Sequence, residues 1–384
     1  MKPHPAHRSV YTSPVIPSLK RIAWHNFLVR PTLESPPLEV LRTISNIPML
    51  ITGAGGSIGS ALALRLARLG QALFLLESGE NNLCELQRAM ADDPDVPPHV
   101  KKSATFILGS AGDSVTMEEL FAVHRPRIIF HAAAYKHVPL LEAQPLAAIR
   151  NNIFATEIVT NVAAVCGARV VLLSTDKAVE PASVMGATKR VAEQIVLASG
   201  GTVLRLGNVL ASSGSATEVF AQQIARGGPL TITDPAARRY FLTLDEAVNL
   251  LLFASVHPCS ALLAPAQLNP SDITELAGFM ARELAPGREL PVQYTGLRPG
   301  DKLTERLWNS SDLVRPTATG GLVSIRSDQP TQSQLKSGLA ALHTAVEDSD
   351  LSAALTQLRS LVPDFRPSES LLAFARQFGP RVPV

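Results

Sequence analysis

The sequence predicts an α/β protein built on a doubly wound parallel sheet, with a smaller C-terminal region beside it. Three observations predict this. Short, nearly continuous apolar runs alternate with helical stretches from Met49 to Arg205, as in βαβ units whose strands are covered on both faces. A glycine-rich turn follows the first run directly. Of the 384 residues, 46% are hydrophobic and 18% charged, enough to bury a large core and too apolar for a disordered chain.

Strands are expected near 49–52, 72–76, 105–108, 128–131, 169–173 and 202–206, and helices near 57–69, 81–90, 115–124, 145–166 and 186–199. Together they make a first domain over 49–207. Beyond Arg205 the alternation loosens. Helical patterns near 217–226, 243–255 and 271–285 are separated by Gly/Pro-rich connections, so 208–330 is expected to cover the substrate and share elements with the first domain. Two helices near 332–347 and 350–361 begin a helical tail over 331–384. The most apolar stretch, 247–264, is interrupted by Asn249, His257 and Pro258 and reads as a buried helix, a turn and a strand rather than a membrane span.

Residues 1–48 stand apart, broken by eight prolines and without an acidic residue before Glu34. Within them, 18–30 fits a short amphipathic helix with Leu19, Ile22, Ala23 and Phe27 on one face and Lys20, Arg21 and Arg30 supplying charge. Such a helix can rest on an anionic membrane surface as a peripheral contact, or pack on its own domain or a neighbouring subunit; the second is favoured. The net charge of +2, with no basic stripe, argues against nucleic acid as a partner. Cys84, Cys166 and Cys259 lack CxxC or His-rich company, so neither a disulfide framework nor a metal site is expected. With no leader-like opening run, a cytoplasmic protein is expected.

The first strand runs into Gly53, Gly56, Ser57, Ile58 and Gly59 in a G-x-x-G-x-x-G pattern, and a helix follows. The glycines allow a tight turn, approach of backbone to a pyrophosphate, and close packing of helix on strand; Ser57 and Ile58 open the helix whose amino end faces the phosphates. This makes the sheet Rossmann-type. The second strand ends at Glu77, where a carboxylate can accept the ribose hydroxyls of NAD and would repel the 2′-phosphate of NADP, although neighbouring bases can reverse that preference. The alternative is a solvated strand-end acid. After the fourth strand, Ala132, Ala133 and Ala134 are small where backbone must lie close to a cofactor.

The fifth strand delivers Ser174, Thr175, Asp176 and Lys177 at its carboxyl end, where ligands sit in open parallel sheets. Met185 and Lys189 then share one face at the start of the next helix. An adjacent carboxyl and amine can act as acid and base, or form a mere salt bridge; Met185 can simply pack in the core.

The runs HAAAYKHVPLLEAQP (131–145), STDKAVEPASVMGATKR (174–190), RLGNVLASSGS (205–215), RRYFLTLDEA (238–247) and LRPGDKL (297–303) resemble the polysaccharide-biosynthesis 4,6-dehydratases, including UDP-N-acetylglucosamine 4,6-dehydratases, among the extended short-chain dehydrogenases/reductases. The similarity covers roughly 27–310, and 361–368 is similar to that family's tail. Many such proteins carry Tyr where Met185 stands; a second group, often fused to a membrane domain, carries Met. The resemblance implies hydride transfer from sugar carbon 4, elimination of water across carbons 5 and 6, and hydride return to carbon 6. It implies Asp176 as acid and Lys177 as base, with their pKa values expected to be raised and lowered, respectively. Lys189 would hold the nicotinamide ribose, with Asn152 and Ser174 beside the cofactor. Thr175 is one route for the proton that Met185 cannot carry.

The resemblance also places Lys136, His137, Asn208, Thr233, Arg239 and Arg298 about a UDP-sugar, and implies a homo-oligomer. Lys136 and His137 have the alternative of a plain surface pair, and Arg238 that of a solvated charge. Ala155, Ala211 and Ala216-Thr217-Glu218 depart from the family pattern, which puts the exact sugar in doubt. Two rivals stay open: a nucleotide-sugar 4-epimerase on the same fold, and a catalytically idle NAD-binding regulator.

Overall fold

A nine-stranded sheet in the order β13-β14-β10-β6-β5-β4-β1-β2-β3 forms the centre of the chain. The computed structural model describes residues 19–257, 260–318 and 321–377. The strands of the first half are β1 (Met49–Thr52), β2 (Leu73–Glu77), β3 (Thr105–Leu108), β4 (Ile128–His131), β5 (Arg169–Thr175) and β6 (Thr202–Leu206). All six pair in parallel, in the order 3-2-1-4-5-6. This is the doubly wound, Rossmann-type arrangement the alternating pattern predicts.

The second half continues that sheet. After β7 (Asn208–Val209), β8 (Leu230–Ile232) and β9 (Arg238–Leu242), β10 (Ala261–Pro265) joins β6 in parallel. The later strands are β11 (Pro270–Asp272), β12 (Val292–Tyr294), β13 (Leu313–Pro316) and β14 (Leu322–Arg326), of which the last two close the sheet antiparallel. Small sheets β11-β9-β7 and β12-β8 lie beyond its carboxyl edge. The region 208–330 thus shares three strands with the sheet, two of which, β13 and β14, no sequence pattern marked.

Helices cover both faces. On one face, Leu62 and Leu66 of helix Ser57–Arg68 cover β1 and β2 while helix Leu244–Val256 lies over β5 and β6, its Leu250 and Leu251 joining the same buried cluster as Ile51 and Leu75. On the other face, helix Val184–Ala198 is buried on every side, because the tail helices Gln332–Glu347 and Leu351–Leu361 pack Leu335, Leu339, Leu355 and Leu358 against its Val191 and Ile195.

Two predicted helices form differently. The 145–166 helix divides into Pro145–Ile149, a wider π turn over Arg150–Phe154, and Ala155–Cys166. The wide turn carries Asn152, which bonds across to Tyr135 and Thr188, and such insertions mark places where a helix yields to a side-chain demand. The 18–30 helix is also not continuous: Leu19–Arg21 is a 3₁₀ turn and His25–Leu28 a single α turn, while Ser18 lies outside the described residues. Ile22 and Phe27 are five residues apart, a spacing that one straight helix would splay. The break lets both enter a cluster with Phe220, Ile224, Phe241, Phe279 and Met280. The apolar face assigned to membrane contact is therefore spent inside the molecule, and the segment packs on its own domain. Among the described residues no helix is long and apolar enough to cross a membrane. Cys84 and Cys166 are unpaired thiols, and Cys259 lies outside the described residues.

Arg30 fastens this arm. Its guanidinium meets buried Glu246 at 2.7 and 2.9 Å and also donates to the Phe241 carbonyl. Glu246 accepts two further backbone N–H groups, from Leu33 and Thr243, and these donors hold its pKa down against the burial that raises it. Arg30→Ala is expected to lower stability by about 3 kcal/mol, since it strips a buried carboxylate of its cation. The lowered pKa means this contribution is complete above the ordinary glutamate range and lost as pH falls below it. Denaturant melts should therefore show the variant deficit at pH 7 and its narrowing below about pH 4.

Candidate active site

The glycine turn is held by contacts that exclude side chains. Gly53 has φ +66°, and a Cβ there would lie 2.8 Å from the backbone of Ala133; one on Gly59 would lie 2.1 Å from the Gly53 carbonyl oxygen. The turn is thereby pressed against Ala132 and Ala133, with Ala134 half-buried beyond them. Helix Ser57–Arg68 starts at Gly56 with no side chain capping its first N–H groups, so Ser57 and Ile58 open an anion-ready helix end. Glu77 is buried rather than solvated: its carboxylate accepts Gly55 N at 3.0 Å and Gly79 N at 2.9 Å, bracing the turn from below.

His131 was missed in the sequence. It is buried between Thr52 Oγ1 at 2.7 Å and Thr156 Oγ1 at 3.0 Å, and burial, aided by the charge of Lys189, drives its pKa down to about 3. It is a neutral ring that fixes the end of β4.

At the end of β5 the chain makes a 3₁₀ turn over Asp176–Ala178, capped by Thr175. A Cβ on Gly186 would lie 2.2 Å from the Lys177 carbonyl oxygen, so only glycine lets helix Val184–Ala198 press onto this turn. Asp176 has no solvent exposure. Its Oδ1 accepts Lys177 Nζ at 2.9 Å and Thr175 Oγ1 at 3.0 Å, whereas Oδ2 is buried with no partner. Lys177 Nζ also donates to Asn208 Oδ1 at 3.1 Å. Burial depresses the Lys177 pKa, but Asp176 and Glu305 outweigh it and the net shift is upward. The expected lowering is thus corrected: as found here the pair is ionic.

Lys189, one turn beyond Met185, is buried and makes no hydrogen bond among the described residues; burial lowers its pKa to about 8, against the pull of Glu193. Met185 itself packs among Val138, Leu141, Ile149 and Leu339, so its contribution is apolar shape.

Two residues expected beside the cofactor are engaged elsewhere. Ser174 Oγ donates to Glu193 at 2.7 Å, and all the polar atoms of Asn152 are used on Tyr135, Asn151 and Thr188. Both orient neighbouring segments rather than present free groups. Glu193 belongs to a buried network that the sequence reading missed: Arg205 meets it at 2.8 and 2.7 Å and Arg190 at 3.0 Å. Its one sequence signal is position, on the helical line 185, 189, 193.

The residues expected around the substrate divide into two groups. Lys136 and His137 stand at the mouth with lowered pKa values, both chiefly from desolvation. The 211–215 loop crosses in front of them: Lys136 Nζ donates to the Ser213 carbonyl, Ser213 N donates to Ser57 Oγ at 2.9 Å, and Glu218 accepts Gly214 N. Glu218 thus turns onto its own loop, near Lys136. Asn208 reaches Lys177, and Thr233 is half-buried after β8.

Arg239 and Arg298 form the second group. Arg239 is buried and spends its fork on the carbonyls of Arg238, Lys302 and Leu303, so it clamps the 298–303 loop, close enough to Lys177 to oppose its charge. Arg298 lies exposed at the rim, paired with Asp301 of the same loop at 2.8 Å. Arg238 pairs with Asp272. Tyr240, unmarked in the sequence, stands half-buried against Gly207, near enough to Asp176 for that carboxylate to add to the burial that raises its phenol pKa.

Residues 49–327 match the family described as "Polysaccharide biosynthesis protein". The capsular polysaccharide biosynthesis protein CapD of Staphylococcus aureus is 34% identical over 311 residues, covering 77% of this chain and 51% of CapD. The chain thus spans about half the length of that relative. A UDP-glucose 4-epimerase of Rickettsia typhi is 31% identical over 291 residues, covering 73% of this chain and 83% of the epimerase. Among solved structures, Pen from Bacillus thuringiensis superposes with a TM-score of 0.67 at 24% identity, over 73% of this chain and 88% of Pen, and supports the fold. The matched span contains the glycine turn, the Asp176-Lys177 turn and Lys189, and the chain belongs to the polysaccharide biosynthesis protein family.

Proposed function

We propose that this chain is a nucleotide-sugar 4,6-dehydratase that uses NAD and acts on a UDP-linked N-acetylhexosamine. The observation that carries the proposal is Asp176: fully buried, one oxygen bonded to Lys177 and the other without a partner, at the carboxyl end of β5. An orphan buried carboxylate oxygen is costly unless a ligand hydroxyl completes it.

The residues fit a dinucleotide. Gly53 and Gly59 leave a cradle that a Cβ would fill, Ser57 and Ile58 offer uncapped N–H groups at the start of the helix, and Lys189 holds an unbonded ammonium inside the fold. Glu77 would meet the adenosine ribose, which favours NAD over NADP. When bound, NAD supplies the hydride acceptor for carbon 4 of the sugar and the hydride donor for carbon 6.

The ion pair accounts for acid and base together. Transfer of one proton from Lys177 Nζ to Asp176 Oδ1, along their 2.9 Å hydrogen bond, turns ammonium and carboxylate into amine and carboxylic acid. A sugar that displaces water from the site favours this neutral form, because desolvation penalises both charges. The Lys177 amine then takes the proton of carbon 5 and Asp176 protonates the departing carbon-6 hydroxyl, so elimination restores the ion pair. The ammonium returns a proton to carbon 5 as carbon 6 is reduced. The proton of the carbon-4 hydroxyl, released as carbon 4 is oxidised, leaves to solvent through Thr175 Oγ1, which already donates to Asp176, and solvent recharges the Lys177 amine once carbon 5 has been reprotonated. Lys136 and His137 would face the diphosphate, whose charge offsets the desolvation that lowers both pKa values.

A second reading, 4-epimerisation, is motivated by the resemblance to the Rickettsia typhi epimerase. It requires a proton relay at carbon 4 but no elimination pair.

Mass spectrometry of the product from UDP-N-acetylglucosamine separates the two: dehydration is expected to give a product lighter by one water, and an unchanged mass would favour the epimerase. Lys177→Met and Asp176→Asn are each expected to lower turnover at least about 100-fold while NAD binding, followed by fluorescence titration, stays near wild type. Wild-type turnover in either would remove that residue from the chemistry. Lys136→Ala is expected to raise KM about tenfold and leave kcat within about twofold, since it withdraws a charge from the non-reacting diphosphate.

A further inference from the structure

Glu193 has no part in the acid–base scheme, yet four donors meet its fully buried carboxylate. Ser174 Oγ at 2.7 Å and Arg205 Nε at 2.8 Å reach Oε1; Arg205 Nη2 at 2.7 Å and Arg190 Nη1 at 3.0 Å reach Oε2. Arg205 continues to the Leu307 carbonyl, and Arg190 to Ser327 Oγ and the Asp328 carbonyl. Two strands, β5 and β6, thus converge on one side chain, whose arginine partners tie in the segments at Leu307 and Ser327–Asp328, one turn beyond Lys189 on the same helix face.

We propose that Glu193 is the positioning residue for the cofactor-side lysine: it locks the strand end bearing Thr175, Asp176 and Lys177 to the helix turn bearing Lys189, and supplies the negative charge that keeps that buried amine an ammonium. The proposal deepens the dinucleotide reading of the site and rests on it.

The electrostatics agree with the geometry. Burial lowers Lys189 to about 8, and Glu193 opposes that fall. Glu193 itself is kept ionised: burial works against its charge, but Arg205, Arg190 and Ser174 hold it down to about 2. The other charged or titratable groups around the pair are His131 from β4, Arg190 from the same helix and Arg205 from β6, with Asp312 and Asp364 acting on Arg205. His131 stays neutral above about pH 3, so in the working range it adds no charge.

Glu193→Gln alone strands two buried guanidinium groups and can unfold the protein, so the informative variant is Glu193→Gln with Arg205→Met, which removes both members of the main pair. NAD affinity is measured against pH for this double variant and for wild type. Wild-type affinity is expected to fall as pH rises through about 8. In the double variant the fall is expected about one pH unit lower, giving about fivefold weaker binding at pH 8 and near-equal binding at pH 6.

A folded double variant with the wild-type pH dependence would show that Glu193 merely neutralises Arg205, and would overturn the proposal. Ser174→Ala, which keeps both arginine pairs, is expected to retain the wild-type pH dependence of NAD binding but lose turnover about tenfold. Full turnover in it would refute the locking of strand to helix. A wild-type protein that binds neither NAD nor NADP would instead overturn the dinucleotide reading, and the proposal with it.

Discussion

The hydrogen bond between Lys177 Nζ and Asp176 Oδ1, 2.9 Å long and closed off from solvent on the carboxylate side, constrains everything around it. A carboxylate with no exposure must be paired or neutral, and the chain provides for both: an ammonium on one oxygen and a vacant hydrogen-bonding position on the other. Gly186 must lack a side chain so that its helix can press on the Lys177 carbonyl. Asn208 must come from β7 to hold the far side of the ammonium, and Arg239 and Glu305 set competing charges around it. Under the proposed function the same pair rests as a salt bridge and reacts as its neutral tautomer, so environment rather than residue type would decide which it is.

A second layer of buried polarity supports the first. The Glu193 network and the Thr52–His131–Thr156 chain lie inside the sheet-to-helix contact, where an apolar core would pack with less desolvation. They fix directions as well as distances: Ser174 at the end of β5, the ring at the end of β4, and the helix between them. The tail contributes by covering helix Val184–Ala198 with leucines, which removes the water that would otherwise loosen its position.

Much of this was legible in the sequence because local pattern and contact coincide there. Five of the six parallel strands are apolar runs buried on both faces, the edge strand β3 being only partly covered, and the turn from Gly53 to Gly59 is dictated by spacings that admit no Cβ. The Asp176-Lys177 turn and Lys189 were found because they follow a strand end and a helix start. The rest failed for an identifiable reason: side-chain direction is settled by partners distant in sequence. Arg239 turns onto carbonyls more than sixty residues away, and Ser174 points to Glu193 on the following helix. The amino-terminal arm is expected to pack on its own domain or a neighbour rather than on a membrane, but the residues that receive Phe27, namely Phe241 and Phe279, lie too far along the chain for the sequence to name. Strands β13 and β14 pair antiparallel outside the βαβ alternation, so no repeating pattern announces them.

The claim on which the account stands is that Lys177 and Asp176 remove a proton from carbon 5 and a hydroxyl from carbon 6 of a UDP-sugar. Running the reaction with UDP-N-acetylglucosamine in heavy water and reading the product by NMR tests it most directly. The account requires solvent deuterium at carbon 5 and, at carbon 6, the hydrogen that began on carbon 4. A product with its carbon-6 hydroxyl intact and no deuterium at carbon 5 would contradict it.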